Sequence, residues 1–248
     1  MAQTVGKSGF LPLLPATLFL LNSLAWLPLE SYCHLWFENG LPTYNWKIES
    51  LSDLGVNYRQ VHELKHYNVT SYAFQYMNAN FIQAGVAFAL AQLGLIWMTR
   101  RNVTTQTAFL RTVRAVLSLF VLGGFVLIGT IHGGPREKFW KIIGWHWFGW
   151  GMVAIAGNLN SFLSTVRANQ VGAFEGNQIY RLVSSMLAGF GIYSYYRFNT
   201  LGVWDFETPI GLWQRGIVYP VLVWELLTGG FMLMDAFSGQ AGGKVKKG

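Results

Sequence analysis

Six runs of about twenty apolar residues divide this chain, near 10–30, 73–98, 113–131, 142–165, 180–198 and 212–236. Each is as long as a helix must be to cross a hydrocarbon core roughly 30 Å thick. The spacing predicts an all-α membrane protein, a bundle of about six transmembrane helices forming one polytopic domain over 1–237. A Gly- and Lys-rich tail over 238–248 is expected to be disordered. Charged residues make up 12% of the 248, half the roughly 25% of a soluble domain, too few to cover a water-facing surface. The first run follows Lys7 and resembles a secretory signal peptide, but it is long enough to span and continues into the aromatic stretch Tyr32–Phe37. It is therefore read as the first span. The fifth run is the weakest, because Arg181 and Arg197 stand close to its ends.

The net charge of +7 raises the possibility of nucleic-acid binding. The basic residues form no single stripe, however, and cluster at the ends of the apolar runs, where they orient helices in a bilayer. Arg100, Arg101, Arg111 and Arg114 stand between the second and third runs without an acid, and Lys244, Lys246 and Lys247 fill the tail. On the other side, Glu30, Glu38, Glu49, Asp53, Glu63, Glu137, Asp205 and Glu207 offset the bases present. Both termini are thus expected in the cytosol. All five histidines (His34, His62, His66, His132 and His146) then fall on the opposite side or at its boundary. Cys33 is the only cysteine, which excludes an internal disulfide and any cysteine-based zinc cage.

Several constellations could carry chemistry. His62-Glu63-Leu64-Lys65-His66 has the H-E-x-x-H spacing that puts two imidazoles on one helical face around Zn²⁺, with the glutamate activating water. Lys65 places a cation inside that motif, and no third acidic ligand follows at a typical spacing. His132 ends the third run in a Gly133-Gly134-Pro135 turn, and His146 opens the fourth between Trp145 and Trp147. These two could relay protons, although the tryptophans also read as an interfacial belt. Glu225 lies midway along the last run, where an ionised acid costs about 2.5–3.5 kcal/mol. It shares a face with Val218, Leu222 and Gly229, and Arg215 stands nearer the outer end. In the second run Tyr76, Asn80, Gln83, Ala87, Ala91 and Gly94 recur at helical spacing, and the fourth carries Asn158 and Asn160. Amides of this kind commonly hold helices together. No phosphate loop, dinucleotide fingerprint or nucleophile elbow occurs, so no cofactor is expected.

The order of Ser50-Leu51-Ser52-Asp53-Leu54-Gly55, Met77-Asn78-Ala79-Asn80-Phe81 with Gly85, Gly129–His132, His146-Trp147 leading to Gly157-Asn158, Gly211–Arg215, Tyr219 and Trp224 resembles the integral-membrane family catalogued as domain of unknown function 998. The resemblance covers nearly the whole chain after the first run and implies a six-helix bundle. It implies no reaction, cofactor or catalytic set. The His62–His66 stretch falls between the matching blocks.

The functional expectation is a membrane-embedded enzyme performing acid/base chemistry (cyclisation, isomerisation or hydrolysis) on a lipophilic small molecule, without a cofactor or metal. Glu225, His146 and His132 are the expected catalytic groups, and Asp53, Asn80, Asn158 and Arg215 the substrate-binding ones. The alternatives are a carrier of a lipophilic solute, an accessory membrane subunit, or a zinc hydrolase using His62, Glu63 and His66. Asn68-Val69-Thr70 is an acceptor sequon on the expected lumenal side, whereas Asn102-Val103-Thr104 faces the cytosol. Lys244-Val245-Lys246-Lys247-Gly248 has the form of a dilysine retrieval signal, pointing to the endoplasmic reticulum membrane in a eukaryote and otherwise the plasma membrane.

Overall fold

The computed structural model describes residues 13–38, 44–61, 68–98, 105–166, 173–200 and 209–241. Eight α-helices occur among them: α1 (Leu13–Leu35), α2 (Phe74–Met98), α3 (Thr105–Thr130), α4 (Pro135–Phe139), α5 (Ile143–Met152), α6 (Asn158–Leu163), α7 (Gln178–Thr200) and α8 (Ile210–Ala241). α1 packs on α2, α2 on α3, α3 on α5, α6 on α7 and α7 on α8, and α8 closes back on α1. Chain neighbours among these helices are therefore largely spatial neighbours as well.

Aromatic side chains fill the interior. Trp26 lies 5.6 Å from Phe81 and 5.9 Å from Phe125, and Phe81 meets Trp150 edge-on at 6.3 Å. A second cluster joins Phe19, Phe88 and Trp224 at 5.7–6.3 Å. Glycine lets α3 and α5 approach backbone to backbone, since a Cβ on Gly124 or Gly149 would meet the other residue's carbonyl oxygen. The outer faces are also apolar, with Leu24, Leu90, Phe120, Phe162, Met186 and Val223 all exposed. Four helical stretches are long and apolar enough to cross a membrane: Leu13–Leu35, Phe74–Met98, Thr107–Thr130 and Ile210–Phe237. The protein is thus a mostly helical membrane protein.

The remaining two runs are helical as well but differ from the simple expectation. The fourth is α5 and α6 joined through a π-helical turn, Val153–Gly157. Asn158 spans that irregularity, its Nδ2 donating to the Ala154 carbonyl at 2.8 Å and to the Ile217 carbonyl of α8 at 3.4 Å. The fifth is α7, which carries four tyrosines, Ser184, Ser185, Ser194, Arg181 and Arg197. The stripe expected on α2 is offset. Its buried face runs through Met77, Asn80, Phe81, Ala84, Phe88, Ala91 and Gln92, while Tyr76 and Gln83 are exposed. That face mixes large rings with small and polar residues, and Asn80 and Ala91 are the members of the expected stripe that lie on it.

Between α1 and α2 the chain forms a cap that the hydropathy pattern did not foretell. A short 3-10 helix covers Leu51–Gly55. β3 (Asn68–Ser71) pairs antiparallel with β1 (Phe37–Glu38) on one side and β2 (Gln60–Val61) on the other. Asn68, the sequon asparagine, opens the central strand opposite Val61. Two-residue strands are too short to show an alternating pattern. The H-E-x-x-H segment lies outside the described residues.

Candidate functional site

The cap is held to the bundle by two consecutive residues of α8. Gln214 turns its Oε1 to the start of the 3-10 helix, accepting from Leu51 N at 2.6 Å and from the Ser50 hydroxyl at 2.7 Å. Arg215 reaches the other side of the same segment. Its Nη1 donates to the carbonyls of Trp46 (2.8 Å), Glu49 (3.2 Å) and Gly211 (3.1 Å), and its Nη2 donates to the Tyr44 hydroxyl at 2.9 Å. Gly211 allows this approach, because a Cβ there would run into the Glu49 and Trp46 carbonyls. Burial raises the Tyr44 hydroxyl's pKa further than Arg215 lowers it, so Tyr44 stays neutral.

Glu30 completes this network. Its Oε1 accepts from Arg215 Nε at 2.8 Å, and its Oε2 accepts from Trp26 Nε1 and the Tyr219 hydroxyl, each at 2.9 Å. His34 Nε2 stands 3.3 Å from Glu30 and 3.2 Å from Arg215, its ring stacked on Tyr44 at 4.0 Å. Glu30 and Arg215 are 2% and 3% exposed, so their charges are removed from water and depend on each other. In the sequence Glu30 figures only as an acid of the outer side, at the end of the first run. The available signal was the spacing of Trp26, Glu30 and His34, four residues apart on one helical face.

A second cluster lies at the same end of the bundle, where α3 turns into α4. His132 Nδ1 stands 3.3 Å from Glu137 Oε1, and His132 Nε2 stands 3.1 Å from Asn78 Nδ2. An amide nitrogen can only donate, so Nε2 carries the lone pair and Nδ1 the proton. Burial lowers the His132 pKa below its usual 6.5 despite the opposing pull of Glu137, and the ring is neutral near pH 7. Burial pushes the Glu137 carboxyl up, but hydrogen bonds from Tyr58, its own backbone, Arg136 and His132 outweigh that and hold it below the usual carboxylate range. Tyr58 donates to Glu137 Oε2 at 2.5 Å, and Arg136 donates to Oε1 from Nε at 3.2 Å and Nη2 at 3.0 Å. The result is a neutral imidazole oriented by an ionised carboxylate. Asn78 also donates to the Gly55 carbonyl at 2.9 Å, and Gly129 lies against its backbone oxygen.

His146 is placed differently. Trp150 Nε1 donates to its Nε2 at 3.1 Å, and its Nδ1 lies 2.6 Å from the Ile131 carbonyl. Indole nitrogen is donor only, which fixes the Nδ1–H tautomer and commits both ring nitrogens. His146 therefore anchors the turn carrying His132. Glu225 belongs to a third network in the middle of the bundle. Asn22 Nδ2 donates to its two oxygens at 3.0 and 2.8 Å and also stands 3.5 Å from the Ala84 carbonyl. The partner of Glu225 is thus Asn22 on α1, and Arg215, which the sequence places nearer the outer end of the same run, pairs with Glu30 instead.

The remaining expected binding residues are dispersed. Asp53 is half-buried in the 3-10 helix of the cap. Asn80 is buried on α2 with no hydrogen-bond partner for its Nδ2 among the described residues, and Asn158 Oδ1 is in the same position at the π turn. At the opposite end of the bundle Arg114 forms a buried pair with Glu175 at 2.8 Å, and its Nε donates to Asn160 Oδ1 at 3.1 Å. No group of three or more His, Cys, Asp or Glu able to hold a metal occurs among the described residues.

Some of the blocks that carried the resemblance meet at the capped end: Ser50 and Leu51 bond Gln214, and Asn78 touches Gly55, Gly129 and His132. No family model matches this chain, nor does any curated protein or solved structure. The resemblance to domain of unknown function 998 rests on these motifs alone.

Proposed function

We propose that this protein is a membrane-embedded enzyme that transfers protons on a lipophilic small molecule at the capped end of its bundle. The observation carrying this reading is the His132–Glu137 pair. A neutral imidazole with a defined tautomer, oriented by a carboxylate that Tyr58 and Arg136 keep ionised, is the arrangement a general base requires. Asn78 occupies the position at Nε2 that a substrate proton would take, and its release would expose the lone pair. Proton removal there and return to a second atom performs an isomerisation or cyclisation without a redox cofactor. Glu225 is the second candidate acid, and its hydrogen bonds join α1 to α8 rather than reaching His132.

In this proposal all six helical runs cross the bilayer, with both termini cytosolic and the cap on the other side, as the Lys and Arg asymmetry suggests. The dilysine-like tail supports residence in the endoplasmic reticulum membrane of a eukaryote. The rival reading, a non-enzymatic carrier or accessory subunit, is favoured by the completeness of the Glu30–Arg215 and Arg114–Glu175 networks, which need no ligand.

Lipid extracts of source cells lacking the protein, complemented with wild type or His132→Gln, separate the two. An enzyme leaves the variant cells with a precursor of the product's mass, or differing from it by one water. Extracts that match wild type at normal levels of His132→Gln protein would remove the enzymatic reading.

A further inference from the structure

The short segment following the His132–Glu137 pair has a feature that neither network uses. α4 ends in a Schellman closure, with Ile142 N donating to the Glu137 carbonyl at 2.9 Å and Lys141 N to the Lys138 carbonyl at 3.1 Å. The residue at the turn, Lys141, has φ 60 and is the one non-glycine residue with positive φ among those described. Glycine is the usual occupant of that position because a Cβ is disfavoured there. A lysine gives up that advantage and adds a cation to the lining of a shallow, open surface groove formed by Lys141, Gly144, Trp145 and Phe148.

The groove is amphipathic. Trp145 and Phe148 are 56% and 53% exposed and stand edge to face at 6.1 Å, forming an apolar wall. Gly144 lines it as well, and a Cβ added there would meet nothing within 4 Å. The exposed or half-exposed charges from 135 to 148 are Arg136, Lys138 and Lys141, of which Lys141 lines the groove, while Glu137, the acid of the segment, is buried against His132 and Arg136. Arg136 also lies over the exposed Trp140 ring at 5.2 Å. Exposed tryptophans beside bases mark the headgroup level of a bilayer.

We propose that this groove holds one phospholipid with an anionic headgroup, its phosphate at Lys141 and an acyl chain along Trp145 and Phe148. The charge complementarity selects the headgroup, and the aromatic wall selects a chain over a free anion. The proposal stands independently of the enzymatic reading.

The test is native mass spectrometry of the full chain in a neutral detergent, titrated with phosphatidylglycerol or phosphatidylcholine. The wild type retains phosphatidylglycerol about fivefold more strongly, the scale of one basic residue at a membrane surface. Lys141→Gly suits the backbone and removes the cation, so the preference disappears with no loss of thermal stability. Gly144→Leu fills the groove without touching the core and weakens retention by a similar factor. Excess inorganic phosphate leaves phosphatidylglycerol bound. Equal retention of the two lipids by wild type, unchanged retention in Gly144→Leu, or displacement by inorganic phosphate would each overturn the assignment.

Discussion

Replacing Arg215 with leucine removes the donor that joins α8, α1 and the cap, and the consequence can be estimated from its partners. Glu30 would keep its hydrogen bonds from Trp26 and Tyr219 but lose its only arginine, at 2% exposure. The Trp46, Glu49 and Gly211 carbonyls would lose the same guanidinium. Breaking a buried ion pair from one side costs about 3–5 kcal/mol. For a protein of this size each kcal/mol shifts the melting midpoint by about 2–4 °C, so the midpoint should fall by about 6–20 °C. The molecule supplies its own reporter. Cys33 is the sole cysteine, fully buried on α1 one turn beyond Glu30, and it becomes reactive to a fluorogenic maleimide only when that end opens. Adding Glu30→Gln to Arg215→Leu should recover part of the loss, because the stranded charge is gone. A midpoint within a degree or so of wild type would refute the view that this pair clamps the cap. A double variant less stable than the sum of the single ones would refute the stranded-charge explanation.

Three further outcomes follow from the same geometry. His132 has a folded pKa below 6.5, so its folded form resists protonation that the unfolded chain accepts, and stability should be complete above about pH 6.5 and fall below it. Glu137 adds a further loss as the pH drops below 4.5, and a melting series from pH 8 to pH 4 on wild type and His132→Gln should show the upper step vanish in the variant. Gly191→Ala would put a methyl group onto the Asn158 amide, where both residues are buried, and should cost about 1–3 kcal/mol. Adding Asn158→Ala should restore part of that, and an unchanged midpoint for Gly191→Ala would contradict the packing. Reporters fused after Gly248 and in the Gly40 region should report opposite sides of the membrane, and same-side signals would exclude six spans.

Hydropathy located the four helices that are long and apolar enough to cross a membrane, because a spanning segment must bury about twenty residues in lipid and that demand is visible without tertiary knowledge. What it could not show was which polar groups find one another. Glu30 reads only as one of several acids on the outer side until α8 brings Arg215 beside it, and Asn22, inside the first apolar run, has no visible purpose without Glu225. The separation between each pair exceeds 180 residues, beyond any local pattern. The π turn ahead of Asn158 and the tiny sheet over the bundle end were hidden for a different reason. Each departs from a regular period by one or two residues, whereas periodicity is read over many. His132 was legible as a candidate from its Gly-Gly-Pro turn, but its carboxylate partner, five residues on, was assigned only to charge balance. His146 attracted attention through its tryptophans, and one further tryptophan, Trp150, ties up its ring.

Under the proposed function, proton transfer belongs to the His132–Glu137 pair at the capped end and not to Glu225 in the middle of the bundle. The direct measurement is product level in lipid extracts from cells carrying Glu137→Gln, His132→Gln, both together, or Glu225→Gln, each matched for membrane protein. Residues that act as a unit are not additive. The first three should therefore fall alike, by about 10²-fold or more, the scale of general acid–base catalysis, and Glu225→Gln should keep most of its product. Full product from Glu137→Gln together with collapse in Glu225→Gln would contradict the account and move the chemistry to the buried acid.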